Sequence, residues 1–324
     1  MARSLILISV LPEDARFAAQ AAAVAGLALQ SVKSPRDAVE IVAAQDGCVL
    51  LVDASTQAQY LEFERAVQEK LGLFSSRLNA NHIHYISSGD IYEVPYLIQS
   101  PLFGNFVHRN FHSDPEVGTH YGRVIAATLG DRAFGTDKLV KPGTKIQTIQ
   151  LKMSTQKQEA VEAVRNYLVA LKFQSRMATV IANAVDEVLM NAIFDAPVDS
   201  MGRHLFESTS RATNFNLDGQ RAVELRVAYD GDYVTITAVD LFGSLDKNKL
   251  LSAISKIYTD QEYRVRSAVA GAGIGLASVF HSGGSFFFSS ESRSKTEVTV
   301  FFKRCDNYRE FKSQFRFLSL QFYF

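Results

Sequence analysis

The segment from Val180 to Ala196 constrains this chain most, because its apolar and polar residues both recur at helical spacing. The apolar positions form one face. The polar residues Asn183, Glu187, Asn191 and Asp195 follow one another four positions apart along a single line. On an enclosed helix such amides and carboxylates need partners, because burying them unpaired costs several kcal/mol. The segment therefore predicts a helix that forms the wall of a site; the alternative is the solvated face of a half-exposed helix.

Two later segments add to this signal. An alternating strand ends at Asp240 and is broken at Gly243. Further along, glycines alternate with small apolar residues before a predicted helix, at Gly271, Gly273 and Gly275. Glycine lets backbone N–H groups approach phosphate oxygens closely, and a following helix N-terminus favours anions. The glycine run alone is a weak signal, because a dinucleotide fingerprint would require it to follow the first strand of a βαβ unit.

Taken in order, the helix with Glu and Asn, the strand ending in Asp and the glycine run resemble the motifs of the GHKL ATPases. This family includes histidine-kinase ATP-binding domains, gyrase-type ATPases and anti-sigma-factor serine kinases. The resemblance covers roughly the last half of the chain and implies an α/β sandwich that binds ATP with Mg²⁺. It implies that Asn191 is the Mg²⁺ ligand, that Glu187 acts as base or orients the acceptor, and that Asp240 accepts the adenine amino proton.

The resemblance also implies phosphate-binding and adenine-side positions. Gly271, Gly273 and Gly275 match the phosphate loop, and Thr299 is the candidate adenine-side hydroxyl. The family pattern after the strand is DxGxG, whereas this chain continues from Asp240 with Leu, Phe, Gly and Ser. Gly243 is therefore a displaced counterpart of the family glycines, and we expect it beside the nucleotide.

The order of elements distinguishes among branches of the family. Sensor histidine kinases carry a phosphoacceptor histidine on helices before the ATPase domain, yet no histidine lies between His120 and His204. No transducer domain of the gyrase type is expected either. The resemblance is closest to the anti-sigma-factor serine kinases, which implies phosphorylation of a serine on a protein partner. A non-catalytic interaction module, with or without nucleotide, is the alternative.

Composition excludes several other classes. The 324 residues include 34 basic and 34 acidic side chains, and the sequence pI is about 7.1, so neither a nucleic-acid partner nor a membrane surface is indicated. The two cysteines, Cys48 and Cys305, lie far apart and outside any metal-ligand spacing. We expect a cytoplasmic, reduced protein without structural zinc.

The N-terminal region alternates short apolar strands with helices, a pattern that predicts a doubly wound parallel sheet. It resembles a response-regulator receiver domain with Asp53 as the candidate phosphoacceptor; a capping carboxylate is an equally good interpretation. The acidic pair expected directly after the first strand is displaced to Glu13 and Asp14, and the region around Arg109 replaces the expected lysine. Without a competent Mg²⁺ cluster, the domain is interpreted as a pseudo-receiver, a docking surface rather than a switch.

The sequence thus predicts an α/β protein with a doubly wound receiver-like domain over residues 1–125, a connector over 126–145 and an α/β-sandwich GHKL domain over 146–324. The connector is expected to contain a short helix. The aromatic tail, ending in Phe322, Tyr323 and Phe324, would be an aggregation liability in water. We expect it to pack back within the chain, with a homodimer as the alternative.

Overall fold

The computed structural model describes residues 3–72, 78–206, 209–252, 279 and 283–324. The chain forms two compact units. Unit 1 comprises residues 1–133 and 315–321, and unit 2 comprises 134–314 and 322–324. The boundary falls inside the predicted connector, and the tail contributes to both units.

The strands in chain order are β1 (Ser4–Ile8), β2 (Ala28–Val32), β3 (Val49–Asp53), β4 (Ile83–Ser87), β5 (Asn105–His108), β6 (Ile146–Leu151), β7 (Val223–Tyr229), β8 (Tyr233–Asp240), β9 (Ser285–Glu291), β10 (Lys295–Lys303) and β11 (Phe317–Tyr323). The α-helices with both ends among the described residues are α1 (Pro12–Ala25), α2 (Pro35–Ala44), α3 (Gln57–Leu71), α4 (Pro95–Ile98), α5 (Val117–Thr128), α6 (Lys157–Ala170), α7 (Ser175–Met190) and α8 (Tyr308–Lys312). The α/β prediction is confirmed.

Unit 1 contains a doubly wound parallel sheet with strand order β2-β1-β3-β4-β5. β1 and β4 are buried along their whole length, as the continuous apolar runs of central parallel strands predict. Local signals set the helix starts: Ser34 accepts a hydrogen bond from the Asp37 backbone N–H at α2, and Thr56 forms a capping box with Gln59 at α3.

The tail completes the sheet of unit 1. β11 pairs antiparallel with β5, with Ser319 opposite Asn105. The Asn105 side chain accepts hydrogen bonds from Ser319 Oγ (2.5 Å) and Gln321 Nε2 (3.1 Å). Phe317 packs edge-on against Tyr121, with ring centroids 5.1 Å apart. The expectation that the tail packs within the chain is confirmed for β11, although the final Phe324 is fully exposed.

The helix expected in the connector is the second half of α5, which packs on α1 within unit 1. Two glycines of α5 permit this close packing. A Cβ at Gly118 would lie 2.5 Å from the Phe17 carbonyl oxygen, and one at Gly122 would lie 2.7 Å from that of Ala21. The role of both glycines is therefore close helix contact.

Unit 2 contains an antiparallel sheet with strand order β9-β10-β8-β7-β6. Helices α6 and α7 pack together, and α7 lies against β8 and β10. A hairpin joins β7 and β8 through Gly231, which has φ 97°. Helices on a sheet make unit 2 an α/β layer structure.

The central helix of unit 2 is apolar enough to resemble a membrane span. Within the described residues, the stretch Ser175–Asp195 meets the criteria of length and hydropathy, and 61% of its most apolar window is buried in the protein. Ile181, Ala184 and Val185 are completely buried. This burial is that of a core helix in a folded domain.

Candidate functional site

A cleft of about 170 Å³ opens in unit 2 where the end of α7 meets β8 and β10. Its apolar lining comes from both the helix and the sheet: Val188, Ala192, Ala238, Leu245, Leu250 and Val298. Polar groups converge on the same space, among them Asn191, Asp195, Asp240, Ser244, Lys249 and Thr296. An apolar cavity with a few converging polar groups is the usual form of a small-molecule site.

Asp240 lies at the end of β8 and is the most deeply buried acid of this cleft, at 4% exposure. Its Oδ1 accepts a hydrogen bond from the Phe242 backbone N–H at 2.9 Å. Burial raises the pKa of Asp240 to about 7, against the opposing effect of hydrogen bonds from the Phe242 and Gly243 backbone and the Thr296 hydroxyl. The side chain is held by neutral donors, and no ion pair to it occurs among the described residues.

Thr296, rather than the predicted Thr299, is the hydroxyl beside Asp240. Thr296 on β10 is directly opposite Asp240 on β8. Side chains alternate between the faces of a strand, so Thr299 points to the other face. There it lies 2.9 Å from Thr237 Oγ1, which in turn accepts from Thr136. The structure therefore does not bring Thr299 to the cleft.

Gly243 has a packing role and is not among the residues that line the cleft. Its φ is +58°, and a Cβ there would lie 1.9 Å from the Glu291 carbonyl oxygen. Its own carbonyl accepts from the Arg293 backbone N–H at 3.3 Å. The glycine lets the loop after Asp240 approach the β9–β10 turn closely. Gly243 therefore positions this loop, and its place beside a nucleotide stays a prediction.

The predicted helix changes form at Asn191. α7 ends at Met190, and residues Asn191–Asp195 form a π-helical turn closed by the Ala196 N–H on the Asn191 carbonyl at 2.7 Å. The Asn191 side-chain amide donates to the Glu187 carbonyl at 2.9 Å, so its side-chain oxygen remains available as a ligand. Turns of this kind are frequent at functional sites.

Glu187 is half-buried one turn before Asn191 and is not among the residues that line the cleft. Burial, and next the neighbouring Asp186 carboxylate, raise the pKa of Glu187. Lys157 forms an ion pair with Asp186 and acts in the opposite direction on Glu187. The predicted base is therefore close to Asn191 in the helix but outside the cavity.

Asp195 and Arg211 form a further feature of the cleft wall that the sequence did not indicate as a pair. Arg211 Nη2 donates to Asp195 Oδ1 at 2.7 Å, while Asp195 Oδ2 is buried without a hydrogen bond in the protein. The Arg211 guanidinium also stacks over Phe194, 4.9 Å from its centroid. Asp195 had been expected only as part of the polar line on the helix.

The predicted phosphate loop, Gly271, Gly273 and Gly275, lies outside the described residues. The cleft is therefore defined here by its base and its α7 wall.

A second polar cluster lies in unit 1, at the carboxyl ends of parallel strands. Asp53 ends β3, and Arg109 directly follows β5. Arg109 Nη2 lies 2.6 Å from Asp53 Oδ1, and the two side chains are 5% and 9% exposed. Asp14, in the first turn of α1, is completely buried and accepts from Arg109 Nε and Nη2 at 2.8 Å each. Asp14, the displaced acid of the sequence pattern, therefore lies in the same cluster as Asp53 and is paired with Arg109.

In the described part of the chain no group of three or more His, Cys, Asp or Glu side chains is arranged to hold a metal ion. Cys48 and Cys305 do not form a disulfide with each other.

Comparison with known proteins adds little. No protein-family model and no curated protein matches the chain. Among solved structures, it is similar to the crystal structure of the SiaB-SiaC complex from Pseudomonas aeruginosa, at 18% sequence identity and a TM-score of 0.29. The match covers 47% of this chain and 88% of that chain. A TM-score this low assigns neither a fold nor a function to this protein.

Proposed function

We propose that unit 2 binds Mg-ATP in the cleft at Asp240, and that the protein is a cytoplasmic signalling regulator of the anti-sigma kinase type that acts on a protein partner. The observation that carries this proposal is Asp240 itself. A carboxyl at 4% exposure that is held only by neutral donors is an unusual way to end a strand. Facing an apolar cleft, it can accept a hydrogen bond from an amino group of a flat, apolar ring.

The remaining cleft residues fit the other parts of such a ligand. Thr296 supports Asp240 from the adjacent strand. The side-chain oxygen of Asn191 would serve as a ligand of Mg²⁺, which prefers oxygen donors. Lys249 supplies a cation at the cleft wall for an anionic group. When bound, Mg²⁺ would neutralise phosphate charge.

Phosphoryl transfer to a serine of the partner is the catalytic form of this proposal, with Glu187 as the base or orienting group. Burial and the Asp186 charge raise the pKa of Glu187, which makes its carboxylate a stronger base than an ordinary glutamate.

The second candidate function is a non-catalytic module in which nucleotide occupancy sets the shape of a protein-binding surface. It is favoured by one observation: Glu187 does not line the cleft that Asn191 and Asp240 share. Incubation with the candidate partner and γ-labelled ATP distinguishes the two functions. Transfer of labelled phosphate to the partner by the wild type, lost in Glu187→Gln, would indicate the catalytic form.

Calorimetric titration of Mg-ATP tests the binding step. We expect saturable binding to the wild-type chain and a loss of about tenfold to a hundredfold for Asp240→Asn, since a hydrogen bond to a charged group contributes about 1.5–3 kcal/mol. Arg16→Ala, an exposed change in unit 1, is the control. Absence of binding to the wild type would refute the proposal.

A further inference from the structure

We propose that Arg109 is a built-in cation of unit 1, which takes the place of a divalent metal ion between Asp14 and Asp53 and closes Asp53 to phosphorylation. The cluster lies entirely within unit 1, so this proposal is independent of nucleotide binding by unit 2. It assigns to the carboxylate cluster a fixed state rather than a switch.

Every N–H of the Arg109 guanidinium has an acceptor. Nε and Nη2 each donate to Asp14 at 2.8 Å, and Nη2 also lies 2.6 Å from Asp53 Oδ1. Nη1 donates to Ser55 Oγ and Ser88 Oγ, both at 2.7 Å. A guanidinium has five N–H donors in a rigid plane, so these five contacts use it completely. The side chain is 5% exposed, which leaves little room for exchange with water or ions.

Both oxygens of Asp53 are also occupied. Oδ1 accepts from Ser55 Oγ at 2.8 Å in addition to Arg109, and Oδ2 accepts from Gln59 Nε2 at 2.9 Å. Formation of an acyl phosphate requires a carboxylate oxygen to attack phosphorus in line while a cation shields the incoming charge. Here the cation is fixed beside Oδ1, and the other oxygen is held by an amide from the first turns of α3.

Arg109 supplies the positive charge that faces these carboxylates. One guanidinium faces two buried carboxylates, and the Glu13 carboxylate lies further away, with Oε1 3.9 Å from Nε. Ser9 Oγ adds a hydrogen bond to Asp14 Oδ2 at 2.5 Å. Bringing in Mg²⁺ would place it against the guanidinium, and like charges at this distance in a buried site repel strongly. The cluster therefore joins the ends of β3, β4 and β5 to α1 in one arrangement.

The test uses the full-length chain with Mg²⁺ alone and with acetyl phosphate. We expect the wild type to show the same melting temperature with and without millimolar Mg²⁺, and to incorporate no label from acetyl [³²P]phosphate. Arg109→Ala should melt about 10 °C lower, because it leaves two buried carboxylates unpaired. Millimolar Mg²⁺ or guanidinium should restore part of that loss, since either can re-enter the emptied position.

Two variants serve as controls. Arg16→Ala, from the exposed side of α1, should behave as wild type. Arg109→Ala combined with Asp53→Asn should lose the response to Mg²⁺, because one of the two carboxylates no longer carries a charge.

Labelling of wild-type Asp53 would overturn the proposal whether or not any variant folds. The proposal would also be overturned if the Arg109→Ala variant folds and its melting temperature, like that of the wild type, does not change with Mg²⁺ or guanidinium.

Discussion

The two units each contain an acid of low solvent exposure at the end of a β-strand, but they surround it differently. In unit 1, Asp53 is paired with the fully hydrogen-bonded guanidinium of Arg109. In unit 2, Asp240 is even more buried, yet it is held only by backbone N–H groups and the Thr296 hydroxyl. The first acid has its counter-charge built into the fold. Asp240 has a raised pKa and faces a cavity, and both properties are typical of a ligand-binding group.

The largest expected difference between the two acids is in stability. Arg109→Met should lower the free energy of unfolding by about 3–5 kcal/mol, because it leaves Asp14 and Asp53 buried without their cation. Asp240→Asn should cost nothing at pH 8, since it removes a charge that burial disfavours. Urea denaturation of both variants measures this contrast. Equal losses would mean that the two acids play the same structural role.

A smaller effect is expected at Gly243, which positions the loop after Asp240. Gly243→Ala should lose about 2–3 kcal/mol, because the new Cβ would overlap the Glu291 carbonyl and φ is positive. Gly231 is the matched control: its φ is +97°, but no atom lies within 4 Å of a Cβ there. Gly231→Ala should therefore show the backbone cost alone, about 1–2 kcal/mol. Equal losses of stability in Gly243→Ala and Gly231→Ala would contradict the packing role of Gly243.

The raised pKa of Asp240 predicts two opposite pH dependences. Since its pKa is near 7 in the folded protein and 3.8 is the unperturbed value, the folded state binds a proton that the unfolded state has released. The resulting stability is complete at low pH and is lost as the pH rises to about 7, by at most roughly 1.4 kcal/mol per pH unit. Nucleotide binding should instead weaken below pH 7, because the carboxylate is the acceptor. Thermal melting and titration at pH 5.5 and 8 measure both, and Asp240→Asn should show neither contribution.

The smallest expected effects separate the two threonines. Thr296→Val should weaken nucleotide binding by about threefold to tenfold, through the lost support of Asp240. Thr299→Val should cost about 1 kcal/mol of stability, because it interrupts the hydroxyl chain of Thr136, Thr237 and Thr299, and should leave affinity unchanged. If Thr299→Val weakened nucleotide binding and Thr296→Val did not, the nucleotide would bind on the opposite face of the sheet from the one proposed.

Local patterns predicted much of this architecture from the sequence. The alternation of apolar strands and helices indicated the doubly wound sheet of unit 1. The last two residues of the polar line, Asn191 and Asp195, indicated the wall of the cleft. Asp240 was located because a strand visibly ends there. Each of these signals lies within one element, where side-chain periodicity reports directly on burial.

Long-range pairings could not be predicted in the same way. Arg109 and Asp14 are 95 positions apart, and nothing local to either one indicates the other. The choice between Thr296 and Thr299 depends on the register of β10 against β8, which decides the face of every side chain. The π-helical turn at Asn191 likewise depends on hydrogen bonds that a helical pattern does not specify.

The most direct test of the nucleotide proposal compares ATP with ITP, which carries a carbonyl oxygen where adenine has its amino group. With Mg²⁺ at pH 8, the wild type should bind ATP at least about tenfold more tightly, since the Asp240 carboxylate accepts from an amino group and repels an oxygen. Asp240→Asn, which can also donate, should lose that preference or reverse it. An identical ATP preference in both proteins, or no binding of either nucleotide to the wild type, would contradict the assignment of Asp240.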